Sequence, residues 1–448
     1  MNDISRRRMA KHSEPDLLQP LSGITPSLPV DAPQPRARPS RNGPFGVLDI
    51  GSTKICCLIG RVEPDGTLRV IGSGLRASAG IKSGGIVDLD AAFHAIQGAI
   101  AEAEERSGHG LRQVTVNLSC GQPESRLFNV QWPMGGRAVT EHDIRRVMQE
   151  GNRRAQAPGR DCIHVLPLMF GVDETQGVAD PREMRCDQLN ARLHVIDASA
   201  SAVHNLMATL DRCALRLEEL VSAPMAAGLA TLVEDERQLG ATVIDMGGGS
   251  TGLAVFSEGQ LLHTAHLPIG GQLVTNDIAQ LLSTSVAQAE RLKTLFGSAQ
   301  PSPDDETEML PISHVGEEEH NVHTIPRSDV VKYIRPRLEE TFERVRAQLE
   351  LAGVGRGTGT RVVLTGGASQ LPGVREMATR MLDRHVRLGR PTPIRGMPEL
   401  VSGPAYATAA GLLAWASGAG RRLPDLRLED DAQPTLLRRI IKFVSDRV

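Results

Sequence analysis

Three glycine turns hold the residues of this chain best suited to chemistry. They are Asp49-Ile50-Gly51-Ser52-Thr53-Lys54, Asp245-Met246-Gly247-Gly248-Gly249-Ser250-Thr251 and Leu364-Thr365-Gly366-Gly367-Ala368-Ser369. The first two each lie between apolar runs and join a carboxylate to glycines and hydroxyls. Glycine lets the backbone turn tightly, so successive N–H groups can point at a phosphate, and Ser/Thr hydroxyls add donors. An aspartate at a strand end can hold Mg²⁺ through its waters, which makes Asp49 and Asp245 the candidate metal residues. Small residues in the third turn would let a base and ribose approach the backbone. Any one turn is also met in ordinary hairpins. Two Asp-x-Gly hairpins in matching contexts point to an internal duplication, and the third turn then favours a nucleotide clamped between related halves. Neither a Walker A pattern nor a Rossmann glycine fingerprint is present.

The elements that must position these turns follow from periodicity. Residues 46–62 read as strand, turn, strand, and 241–267 repeat that grammar. Asp88–Arg106 is helical by period, with Leu89, Phe93, Ile96, Ile100 and Ala103 on one face and Asp88 placed to cap. Strands are expected near 113–120 and 125–132, and a second helix opens at Thr140. Residues 89–160 therefore read as a small α+β module between two larger blocks. Further on, 203–220 is helical by period, 298–325 is a polar, acidic surface loop, and Asp329–Leu351 is a long helix. Residues 1–43 read as a disordered tail, a solvated leader or a recognition arm.

Composition narrows the function classes. The 448 residues carry 50 Lys+Arg against 53 Asp+Glu, a net charge of −3, which makes no electrostatic case for nucleic acid. No apolar run approaches the ~18–20 residues of a spanning helix, so an integral membrane protein is not expected. The basic start never becomes an apolar signal core, which argues against secretion. Six cysteines without a C-x-x-C pair suggest reduced core residues in a cytosolic protein.

With these motifs in place the chain resembles the actin-like ATPases, a superfamily that includes actin, Hsp70 chaperones and sugar kinases. Asp49–Lys54 is similar to its phosphate-1 hairpin, Asp245–Thr251 to phosphate-2, and Thr365–Ser369 to its adenosine turn. Within it, the FtsA family of bacterial cell-division proteins resembles about 45–416 and the C-terminal tip. The more specific likenesses are the segments around Gly84–Gly108, Arg137–Gly151, His194–Gly240, Leu267–Leu282, Gln288–Gly297 and Val362–Ala378. The resemblance implies an α/β, actin-like (ribonuclease H-like) duplicated fold with an inserted subdomain 1C. The expected division is 1–43 tail, 44–88 subdomain 1A, 89–160 subdomain 1C, 161–237 subdomain 1A, 238–272 subdomain 2A and 273–345 subdomain 2B. It continues with 346–400 subdomain 2A, 401–416 subdomain 1A, a 417–433 linker and 434–448 for the membrane.

The resemblance also implies ATP and Mg²⁺, self-association into filaments, later division proteins on subdomain 1C, and the FtsZ C-terminal tail on subdomain 2B. It places Glu290 and Lys293 near the ribose and base; read without it, they are an exposed i,i+3 ion pair. Hsp70-like relatives carry an acidic residue where this chain has Gly252, which cannot orient a water, so binding with at most slow hydrolysis is expected and no catalytic residue is assigned. Pro434–Val448 is amphipathic: Leu436, Leu437, Ile440, Ile441, Phe443, Val444 and Val448 share a face about 160° wide. Arg438, Arg439 and Lys442 lie opposite. Such a segment would dock on the protein's own core or, given its cationic face and the polar linker before it, bind an anionic membrane. The function implied is tethering of FtsZ filaments to the cytoplasmic face of the inner membrane at the septum. The alternatives are a PilM-like pilus-assembly scaffold or a sugar or metabolite kinase.

Overall fold

The computed structural model describes residues 43–317, 322–354 and 361–418. The expected tail before residue 43, the linker beyond 418 and the 434–448 segment lie outside the described residues. The fold starts with apolar runs on both sides of the first glycine turn, β1 (Phe45–Ile50) and β2 (Lys54–Val62), paired antiparallel with Asp49 opposite Cys56. β3 (Leu68–Ala77) continues the sheet, and a small hairpin of β4 (Ile81–Lys82) and β5 (Gly85–Ile86) leads to α1 (Leu89–Ser107). Asp88 caps α1, accepting the N–H groups of Asp90 and Ala91. The helix settles directly on β3, where a Cβ added to Gly74 would stand 1.9 Å from the Ala99 carbonyl oxygen. Ile96, Ala99, Ile100 and Ala103 are buried there, whereas Leu89 faces outward. β6 (Gln113–Leu118) then pairs parallel to β1.

At Gly121 the chain leaves for a separate module: β7 (Glu124–Pro133), α2 (Glu141–Ala155), β8 (Arg160–Val172), β9 (Thr175–Val178) and β10 (Gln188–Ser199). Its sheet runs β7-β10-β8-β9. Thr140 opens α2 with a capping box, and Ile144, Val147 and Met148 bury against Val130, Leu193 and Val195. The module's two ends meet where the Ser199 N–H donates to the Gly121 carbonyl at 2.8 Å. This differs from the module expected over 89–160. α1 and β6 belong to the first sheet, because β3 accepts the helix and β1 accepts the strand. Residues 161–199, expected in the main block, supply two of the module's central strands.

Back in the first half, α3 (Ala200–Arg212) ends before Ala214, whose φ of 57° breaks the helix expected to run to residue 220. β11 (Arg216–Ser222) instead pairs parallel to β6, and α4 (Ala223–Thr231) and α5 (Glu234–Leu239) follow. The first sheet is thus β11-β6-β1-β2-β3.

The second half contains β12 (Ala241–Met246), β13 (Thr251–Ser257), β14 (Gln260–Leu267), α6 (Gly271–Leu281) and α7 (Val286–Phe296). Next come β15 (Met309–Ile312), β16 (His323–Pro326), α8 (Arg327–Leu351), β17 (Arg361–Thr365), α9 (Val374–Leu382), β18 (His385–Leu388) and α10 (Ala407–Ala416). Its sheet, β14-β13-β12-β17-β18, repeats the first strand for strand with the same directions. The duplication inferred from the two hairpins therefore extends to the whole sheet. Within the expected 298–325 loop, β15 and β16 form a hairpin that buries Leu310 and Ile312. α4 and α10 lie between the halves, in a core that takes Val47 and Leu58 from one sheet and Val243 and Phe256 from the other. The module also reaches the second half: the Thr264 N–H of β14 donates to Ser125 Oγ of β7 at 3.3 Å. No helix among the described residues is long and apolar enough to cross a membrane.

Candidate functional site

The glycine turns converge on one cleft between the halves, and the two Asp-x-Gly turns are built alike. The Gly51 N–H donates to the Lys54 carbonyl at 3.0 Å, and the Gly247 N–H to the Ser250 carbonyl at 2.9 Å. α6 fixes how the second turn faces: its Gly271 and Gln272 N–H groups take the Gly247 and Gly248 carbonyls at 2.9 and 2.7 Å. In a trans peptide the N–H points opposite to the C=O, so the Gly248 and Gly249 N–H groups are directed away from α6. The turns also meet tip to tip. A Cβ on Gly248 would stand 2.3 Å from Thr53 Cγ2, and one on Gly249 2.3 Å from Ser52 Oγ. At the third turn Gly366 has φ of 85°, and a Cβ there would lie 2.4 Å from Asp245 Oδ1. That position requires glycine twice over, for conformation and for space.

A cavity of about 90 Å³ lies between the turns, lined by Asp49, Gly51, Ser52, Thr53, Lys54, Asp245, Gly247, Gly248, Gly249, Ser250, Gly366 and Gly367 among others. Both carboxyls are shifted upward. Burial pushes Asp49 up to about 7, with Lys54 opposing and Asp245 adding to the rise. Burial also raises Asp245, against the hydrogen bond from Thr408 and the charge of Lys54. A buried carboxyl, Asp49, and a half-buried one, Asp245, acted on by a single ammonium fit a place where further positive charge is accommodated. Their all-oxygen chemistry suits Mg²⁺. Among the described residues no three His, Cys, Asp or Glu side chains form a metal cage.

Four expected site residues lie elsewhere. The Thr251 hydroxyl is buried and donates to the Ile269 carbonyl at 2.7 Å. Ala368 faces Gly271, where a Cβ would stand 3.2 Å from its own. Lys293 Nζ donates to Glu290 at 2.6 Å, to Thr275 Oγ1 at 2.8 Å and to the Gly271 carbonyl at 3.2 Å. Burial alone would raise Glu290, but its bonds from Lys293 and Thr275 outweigh it and hold the carboxyl low. This pair borders the Ala368 side of the cleft through Gly271 rather than lining the carboxylate cavity.

Residues 242–411 match the family described as cell division protein FtsA, and 121–197 match the SHS2 domain inserted in FtsA. The cell division protein FtsA of Rhizobium meliloti (strain 1021) is 39% identical over 393 residues, covering 85% of this chain and 89% of that protein. The chain belongs to the FtsA family. The FtsA of Escherichia coli (strain K12) is 31% identical over 373 residues, covering 82% of this chain and 88% of its own length. Among solved structures, the PilM–PilN type IV pilus biogenesis complex matches with a TM-score of 0.59 at 20% identity, over 83% of this chain and 98% of that one. MreB5 of Spiroplasma citri matches at 0.51 and 13%, over 84% and 99%. These likenesses show an actin-like fold. The family's SHS2 insertion coincides with the module rooted at Gly121 and Ser199.

Several residues of this FtsA-family cleft are not signalled by the glycine turns. Asn117 of β6 accepts the Ile50 N–H at 2.7 Å and so fixes the entry to the first turn. Its mark in the sequence is a lone amide within the apolar run 114–118. His266 and Pro224 also line the cavity, and burial drives His266 down to about 4. Nothing local in the sequence marks those two.

Proposed function

We propose that this FtsA-family chain binds ATP with Mg²⁺ in the cleft, self-associates, and tethers FtsZ filaments to the cytoplasmic face of the inner membrane at the division site. The observation that carries the reading is the pair of like-built turns meeting tip to tip beside Asp49 and Asp245, with the charge of Lys54 acting on both carboxyls. ATP would place its phosphates against the Ser52, Thr53 and Ser250 hydroxyls, Lys54 and the Gly248–Gly249 N–H groups. Asp49 and Asp245 would hold the waters of Mg²⁺, which supplies charge neutralisation on the phosphates. The solved MreB5 structure with ADP is consistent with nucleotide on this fold.

FtsZ would bind over 273–345, where Leu281, Val286, Leu295, Met309, Val315 and Val322 are exposed. Later division proteins would bind the SHS2 module. Residues 434–448 would lie on anionic lipid, each Lys/Arg adding roughly 1 kcal/mol, with many copies in a filament making attachment firm. Co-sedimentation with anionic liposomes and FtsZ, with and without ATP, tests this reading. The full chain should pellet; chains lacking 434–448 or carrying Phe443→Glu should stay in solution with ATP affinity retained. Pelleting of the deleted chain would refute the tether.

A further inference from the structure

Three residues outside the glycine turns, all within Pro404–Thr408, each touch a different turn. The Pro404 carbonyl accepts the Gly366 N–H at 3.1 Å, and the Thr365 hydroxyl lies 3.3 Å from it and 3.1 Å from the Gly389 carbonyl. The Tyr406 ring lies under Lys54, with Nζ 4.6 Å from its centroid. The Thr408 hydroxyl donates to Asp245 Oδ2 at 2.9 Å. Helical threonines elsewhere in this chain, such as Thr209, Thr231 and Thr341, turn their hydroxyls back to the carbonyl four residues earlier. For Thr408, in the first turn of α10, that carbonyl is Pro404's, which precedes the helix, and its hydroxyl reaches across to the second half instead. Asp245 and Thr365 are register partners in the parallel pair β12–β17. The segment therefore clips the ends of both strands while its aromatic ring holds the ammonium of the first turn.

We propose that Thr408 and Tyr406 are positioning residues: Thr408 sets the Asp245 carboxylate for a hydrated divalent cation, and Tyr406 sets Lys54 for the phosphates. The proposal rests on the nucleotide reading above. It divides the work, since Thr408 acts through the cation-facing group and Tyr406 through the phosphate-facing one.

The test is calorimetric titration of the full chain with ATP in excess Mg²⁺ and again in excess EDTA. Thr408→Val should weaken binding about tenfold with Mg²⁺, the scale expected when a hydrogen bond to a charged group is lost, and by under about twofold in EDTA. Thr408→Ser, which keeps the donor, should restore affinity to within about twofold. Tyr406→Leu should weaken both titrations to a similar extent, and Tyr406→Phe neither. Equal losses for Thr408→Val with and without metal, or failure of serine to rescue, would overturn the positioning role. If Thr408→Val does not fold, judged by its thermal midpoint, Thr408→Ala removes the same donor and decides the question. A wild-type chain that binds no ATP would overturn the nucleotide reading together with this proposal, whereas wild-type binding with indifferent variants overturns this proposal alone.

Discussion

Gly252 stands directly opposite Asp245 in the β12–β13 ladder, as Cys56 stands opposite Asp49 in the first half. A Cβ on Gly252 would meet the Cβ of Pro224 at 3.0 Å and its ring atoms at 3.2 Å. The position beside the second carboxylate is thus closed by the N-terminus of α4, and any side chain placed there must displace it.

Phosphate release by the wild type should accordingly be slow, below about one per second, since nothing at Gly252 orients a water. Gly252→Asp should not raise it. The variant should lose about 1–3 kcal/mol of stability from overpacking against Pro224. A phosphate-release assay showing acceleration with an unchanged melting temperature would contradict this account.

Gly248→Val should weaken ATP binding tenfold or more, because its side chain would occupy the space of Thr53 and force the two tips apart. Asp245→Ala should cost a similar factor with Mg²⁺ by removing a cation-facing carboxylate. Calorimetric titration of each, alongside circular dichroism to establish folding, checks both. Unchanged affinity in either would remove the cleft from consideration as the nucleotide site.

Joining Gly121 to Ser199 and omitting 122–198 should leave ATP affinity within a few-fold, because the module's ends already meet through a hydrogen bond. Binding of later division proteins should be lost. Omitting 89–160 instead would remove β6, the strand between β1 and β11, and should unfold the first half. Titration and pull-down of the two deletions separate these outcomes.

His194 provides a pH prediction. Burial holds its pKa down to about 3, against 6.5 for the free side chain, and its imidazole pairs with Ser125 at the contact with β14. Between about pH 6.5 and 3 the unfolded chain binds a proton there that the folded chain does not, so this contribution falls as the solution is acidified. The change is about 1.4 kcal/mol per pH unit. Asp49, raised by burial, acts in the opposite sense over 7 to 3.8, and comparison with His194→Gln cancels it. Denaturant titrations from pH 6 to 4 should show the wild type losing stability faster than the variant. Parallel curves would show that His194 is protonated in the fold.

Local signals made the hairpins legible in the sequence: Asp49 and Asp245 end apolar strands, glycines follow, and the grammar repeats. Asp88 and Thr140 mark their helices equally well, because capping involves only the next three residues. The module boundary was not legible, since the place of α1 depends on Gly74, a contact made across the sheet face. The β15–β16 hairpin was hidden by prolines and acids that keep one side polar while Leu310 and Ile312 bury. Thr408 and Tyr406 carry no local mark at all. Their partners Asp245 and Lys54 lie far back along the chain, and only the meeting of the halves brings them into reach.

The strand-for-strand repeat places the module root and the third glycine turn at equivalent points, each directly after the strand beside the hairpin, β6 in one half and β17 in the other. Two identical halves would present the same loop twice, once on each side of the cleft. In this chain one half has a tight glycine loop at that point, and the other has the root of the inserted module. The repeat thus lets two equivalent loops meet different demands, which a symmetric dimer would have to satisfy with one. Binding surface for protein partners could then diversify at Gly121 without altering the backbone at Gly366.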